Sequence, residues 1–312
     1  MSQTFQSTEN LKKRTTAIKK KAAAEAKGPA EVGSLGSTAM LVSLSFSIWD
    51  AWSYDEPEGA KVAKRNHVDE GTVKVRKELF PFEAPEYEAI PRAYRRLKAF
   101  NDKNTLKWAR GVNILAASNF QNYVTNIKPL MADFDKAVRE FLAKYETLKK
   151  KAKTELNGLY KEEDWPELND LKRRFGCYLF FFKVPSAGDF RVELQGEALK
   201  SVREQIEIDV SKKSAEAMSQ LYAMVKEAVD KITAAFKEDK VKQPLFDRLH
   251  KLCDEDIPRL NVGANKDLIK FAESVKAGLG SVQAKEVRED KDLHKKVEAE
   301  AKELSKQIAQ WV

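Results

Sequence analysis

The chain has 312 residues, 42% hydrophobic and 33% charged, with 56 Lys/Arg against 48 Asp/Glu for a formal charge of +8. That balance is too apolar for a disordered chain, and at ~150 residues per domain it accommodates one or two domains. Only 13 Gly and 10 Pro are present, too few turn formers for a many-stranded sandwich or barrel and consistent with long helices.

Residues 1–37 hold seven Lys/Arg and three Glu, so residues 1–38 read as a flexible basic arm. No apolar h-region follows it, and the 18 uncharged residues 32–49 contain Gly33, Gly36 and five serines. They make a poor spanning helix, and no membrane association is expected. The two cysteines, Cys177 and Cys253, form no disulfide framework and suit a reducing compartment.

Past the arm, Val42, Leu44, Phe46 and Ile48 alternate with Ser43, Ser45 and Ser47. Period two marks a half-buried strand, over 41–49. The charged stretch 55–100 reads as short helices broken at Pro57, Gly71, Pro81, Pro85 and Pro91.

A long amphipathic helix follows, with Phe120, Tyr123, Ile127, Leu130, Phe134, Val138, Phe141, Tyr145, Leu148 and Ala152 stepping by threes and fours. From Phe120 to Leu156 it would span ~55 Å at 1.5 Å per residue, with a kink or a late start at Pro129. Residues 177–184, rich in Phe, and 189–194, where Phe190, Val192 and Leu194 alternate with polar residues, read as a hairpin turned by Pro185–Asp189.

A second long helix starts near Glu197, carries Val202, Ile206, Val210, Leu221, Val225, Val229 and Ile232, and reaches Phe236. Shorter helices fill a C-terminal part, 244–312. The expected fold is mainly α: one domain over 39–312, with two long antiparallel coiled-coil-like helices, a small antiparallel sheet from 41–49, 177–184 and 189–194, and shorter terminal helices.

Catalytic patterns are missing. Gly28–Gly33 has a Walker-like glycine spacing, but Ser34 and Leu35 replace the Lys and hydroxyl that reach phosphates. His67, His250 and His294 are isolated, and no residue completes a metal set around His250 and Cys253. Asp189 and Glu193 beside Lys183 approach a nuclease pattern, which fails because Gln195 stands where Lys is needed. The expectation is no catalytic residue, no metal and no cofactor.

One segment is suited to nucleic acid. Arg92, Arg95, Arg96, Lys98, Lys103, Lys107 and Arg110 face a single acid, Asp102, and Tyr94, Phe100 and Trp108 lie among them. Cations meeting phosphates and rings stacking on bases hold single strands. The rival reading is a solvated helix with its aromatic residues in the core.

Residues 46–52, 104–119 (NTLKWARGVNILAASN), 156–194 (including RRFG and FFFKVPSAGDFRV) and 246–268 (including IPRLN) together carry a resemblance. The pattern resembles a bacteriophage and prophage family described as domain of unknown function 3150, over about 39–308. Genes of that family lie near a MoxR-class AAA+ ATPase and a cobaltochelatase-like protein with a von Willebrand A domain. The resemblance implies a non-enzymatic adaptor or assembly protein in the cytoplasm of an infected bacterium, acting with an AAA+ ATPase or on a host factor. Self-association as a dimer is expected from the long apolar seams, and single-stranded nucleic-acid binding is the alternative function.

Overall fold

A computed structural model describes residues 35–186, 197–238, 240–280 and 282–309. The basic arm (apart from its last four residues), the expected strand 189–194 and Trp311 lie outside them. The described residues are mainly helical, with a small antiparallel sheet and two long helices. No helix among them is long and apolar enough to cross a membrane.

By its contacts the chain divides into two compact units. Of the described residues, one unit comprises those up to 43, 102–123 and those from 180 on; the other comprises 44–101 and 124–179. Two of the boundaries fall inside helices, where apolar periodicity continues and no composition shift marks a border.

In the first unit, residues 39–42 of β1 (Ala39–Ser47) pair antiparallel with β5 (Val112–Ala116), and β5 pairs with β4 (Leu106–Ala109). The four-stranded order is β4-β5-β1-β6, with β6 spanning Gly176–Lys183. Strands expected at 41–49 and 177–184 therefore sit one or two residues earlier. The β4–β5 hairpin is a correction to the reading of 92–110 as one helix-like segment. Leu106 and Trp108 alternate with exposed Lys107 and Ala109, and Gly111 turns the chain at φ 72°, where a glycine has no Cβ to clash.

The helices of this unit are α5 (Glu197–Lys237), α6 (Gln243–Lys251), α7 (Lys266–Val275), α8 (Ala284–Glu289) and α9 (Lys291–Ile308). Leu221, Val225, Val229 and Ile232 on α5 are buried, and α5 packs on α9, α6 and β4. Each such side chain contributes ~1.5–3 kcal/mol. Beyond α6 the chain continues through a π-type turn, Leu252–Asp256, into a helical turn Ile257–Leu260. Pro258 lies in that last helical turn, directly after the π-type one.

In the second unit the expectation of broken short helices over 55–100 is only half right. A two-stranded ribbon, β2 (Trp52–Tyr54) with β3 (Arg76–Glu78), brackets α1 (Glu56–Arg65). Asp55 caps α1 by accepting from the Glu58 N–H at 3.3 Å, with Pro57 in the first turn. Gly59 is required by closeness: a Cβ there would lie 2.7 Å from the Val73 carbonyl oxygen.

Helix α2 (Pro85–Asn104) runs through Pro91 without breaking. An interior proline costs roughly 3 kcal/mol, which the burial of Ile90, Ala93 and Leu97 offsets. Helix α3 (Phe120–Leu156) likewise contains Pro129 and starts at the expected residue. A short helix, α4 (Leu168–Arg173), precedes β6.

The core here is aromatic. Trp49 contacts Phe80, Tyr87, Phe141 and Tyr145 with ring centres 6.1–6.2 Å apart. Trp165 and Phe175 join through Phe80 and Phe141. Beneath the ribbon, Lys77 donates to the Asp164 carboxylate at 2.7 Å and the Leu159 carbonyl at 2.6 Å.

Candidate functional site

The basic segment is divided between the two units. Arg92, Arg95, Arg96 and Lys98 are exposed on the part of α2 in the second unit; Lys103, Lys107, Trp108 and Arg110 belong to the first. Among the former, Arg92 bonds the Glu88 and Pro85 carbonyls and lies 3.9 Å from the Glu88 carboxylate. Arg96 pairs with Asp133 at 3.3 Å. Tyr94 turns inward, its ring 4.8 Å from Phe46.

In the first unit, Trp108 is 9% exposed and belongs to the hydrophobic core with Leu106 and Ile114. Its indole offers little surface for a base. Lys107 and Arg110 are exposed on either side of it. Gln220 from α5 clamps the main chain of β4: its amide accepts from the Lys107 N–H and donates to the Lys107 carbonyl, both at 2.9 Å. The Ser43 hydroxyl donates to the Gly111 carbonyl at 2.9 Å. These bonds fix the hairpin that presents Lys107 and Arg110.

Strand β6 presents a different surface. Phe181 faces the core, its ring 5.3 Å from Phe120 and 6.3 Å from the buried Tyr123. By the period of a strand, Phe180 and Phe182 point to the opposite side. They are 49% and 50% exposed, and their rings stack 6.4 Å apart at 27°. Tyr178, counted with the other unit, is as exposed. The aromatic run was legible in the sequence; which of its rings face outward is fixed only by Phe181 turning to the core.

The thiols are poorly suited to nucleophilic work. Burial pushes Cys177 up to about 11 and Cys253 up to about 12, so both are neutral at physiological pH. No group of three or more His, Cys, Asp or Glu among the described residues could hold a metal. His250 faces Asp254 at 3.2 Å, and Lys276 donates to the same carboxylate at 2.8 Å.

The sequence reading missed the outer face of the β2–β3 ribbon, which carries Trp52, Tyr54, Lys74 and Arg76. Its signal was present: Trp-Ser-Tyr on one strand, and Val73, Val75 and Lys77 alternating with Lys74, Arg76 and Glu78 on the other. Period two within a charged stretch distinguishes it from a helix. No family model, curated protein or solved structure gives a significant match to this chain.

Proposed function

We propose that this chain is a non-enzymatic binding protein, an adaptor or assembly factor that docks a protein partner on the outer face of β6. The observation that carries this reading is the pair Phe180 and Phe182, half exposed and stacked on a strand whose other face is pinned to the core. Rings held on a rigid strand lose little entropy on binding, and aromatic residues dominate the energetics of interfaces. Covering the remaining half of each ring is worth about 2 kcal/mol.

The sequence resemblance to the phage family supplies the partner in this proposal: an AAA+ ATPase or a host factor, met in the cytoplasm of an infected bacterium. Self-association is part of the same reading. On the first half of α5, Val202 and Ile206 are only half buried. A second copy would cover that seam, as a long apolar stripe favours a partner helix.

The test is co-purification with an AAA+ ATPase of the class that the resemblance names. The wild-type chain retains it, and a Phe180→Ser/Phe182→Ser variant with unchanged melting behaviour loses it. Equal retention by both removes the β6 face from the proposal.

Nucleic-acid binding through the basic segment, by α2 in the one unit or by the β4–β5 hairpin in the other, is the second reading. It is favoured by Arg95, Lys107 and Arg110, none of which has a carboxylate partner among the described residues. Flattening of the salt dependence of oligonucleotide binding by Arg95→Gln and Arg110→Gln would support it.

A further inference from the structure

From the β2–β3 ribbon of the second unit we infer a binding site for single-stranded nucleic acid, built from Trp52, Tyr54, Lys74 and Arg76. The site shares no residue with the surfaces proposed above and does not require them.

The register defines the face. Trp52 lies opposite Glu78 and Tyr54 opposite Arg76. Ser53 and Lys77, paired between them, point to the other side, where Lys77 is buried against Asp164. The outer side therefore carries two rings on one strand and Arg76 and Glu78 on the other, with Lys74, just before that strand, over the Tyr54 ring. Tyr54 is 50% exposed, and Lys74 and Arg76 are exposed.

The cations are held by the rings. The Arg76 guanidinium lies 4.5 Å from the centre of the Trp52 ring, and the Lys74 ammonium 5.6 Å from that of Tyr54. Neither cation has an ion pair with a carboxylate among the described residues, although Glu78 shares the face. Elsewhere in this unit the cations of Arg92, Arg96 and Lys149 are matched by Glu88, Asp133 and Glu162. Lys74 and Arg76 are thus oriented by π faces and left without an anion.

The chemistry that completes such a face is an anion joined to a flat ring. A guanidinium lying on an indole exposes its second plane to a base, and the tyrosine ring offers another. The Trp52 and Tyr54 rings meet edge to face, their centres 4.8 Å apart at 77°, so the guanidinium over Trp52 and the Tyr54 ring present two differently tilted flat faces to neighbouring bases. Lys74 and Arg76 flank the rings, where the phosphates of such a strand would run. An acidic peptide would satisfy the cations but leave the outer plane of the guanidinium and the exposed Tyr54 ring without a flat partner. A duplex keeps its bases stacked inside, so it would meet only the charges.

The experiment uses the full-length protein and a fluorescein-labelled oligothymidylate of about 20 nucleotides, followed by anisotropy at several salt concentrations. Two phosphate contacts give a log–log salt slope of about −1.4. Lys74→Gln with Arg76→Gln should remove most of that increment from the total slope. Tyr54→Ala should weaken binding about fivefold or more at every salt without changing the slope, because stacking releases few counterions.

Tyr54 is half exposed, so its truncation is compatible with folding, and Tyr54→Phe, which keeps the ring, should restore binding. The site is overturned if the variants bind as the wild type does, if a poly-glutamate peptide competes as well as the oligonucleotide, or if a duplex of equal length binds as tightly. Loss on Arg95→Gln and Arg110→Gln alone would likewise reject the ribbon and assign binding to the other basic segment.

Discussion

Trp108→Ala separates the two roles open to the basic segment. The indole is 9% exposed and packed in the core of the first unit. A tryptophan buries on the order of 200 Å², and at about 25 cal/mol per Å² its truncation removes roughly 5 kcal/mol of transfer energy. Measured truncations of this kind cost ~3–5 kcal/mol, so about 4 kcal/mol is expected. For a unit of this size that corresponds to a melting temperature lower by roughly 10 °C.

The loss should extend to the hairpin, because β4 is held to α5 by Gln220 through the Lys107 main chain. Circular dichroism during heating and urea unfolding would measure it. Lys107→Gln and Arg110→Gln, which change exposed side chains, should shift stability by less than ~0.5 kcal/mol. The reasoning is refuted if Trp108→Ala leaves the melting curve in place while oligonucleotide binding is lost, since that is how an exposed stacking residue behaves.

Three further outcomes follow from the geometry. Lys77→Met leaves Asp164 buried without its cation, the two side chains being 5% and 10% exposed, and should cost ~3–5 kcal/mol; adding Asp164→Leu should recover much of it, and urea titration of the single and double variants reads the difference. Cys177 and Cys253, both held as neutral thiols by burial, should react with a disulfide reagent at pH 8 much more slowly than the unfolded chain; rapid modification of the native protein would contradict that environment. The Asp254 carboxyl is held below its usual value of 3.8 first by the hydrogen bond from Lys276. Its contribution to stability is present above that value and lost as pH falls through the lower folded one. Lys276→Ala should move its NMR titration upward, and an unchanged midpoint would show that the bond does not form in solution.

What the sequence revealed follows the strength of its periodicities. Helix α3 was legible from end to end because its seam from Tyr123 to Ala152 has a single unbroken period, strong enough to carry Pro129. Strand β1 was legible because four apolar residues alternate with three serines. The β4–β5 hairpin was hidden because Leu106 and Trp108 give only two apolar steps among cations, and because a basic run invites a surface reading. The ribbon was hidden for a related reason: β2 and β3 are three residues each, and their inward positions are Ser53 and Lys77 rather than apolar residues.

The candidate surfaces divide similarly. The aromatic character of β6 is plain in Phe180, Phe181 and Phe182, but which rings lie outside depends on where Phe120 and Tyr123 are brought, a long-range fact. Trp108 carries no mark in the sequence that distinguishes a core indole from a stacking one; the difference lies in the packing of the C-terminal helices over the sheet. The division into two units is equally silent, since helices α2 and α3 pass through it with their patterns intact.

The most direct test of the β6 face is photocrosslinking in the host cell with a benzoylphenylalanine placed at Phe182, and at the inward-facing Phe181 as control. The account expects a discrete adduct at 182 whose partner peptides map to one protein, the AAA+ ATPase or a host factor, and none at 181. No adduct at 182, or a diffuse set equal to that from an exposed polar position such as Lys183, would contradict a protein-docking role for this strand.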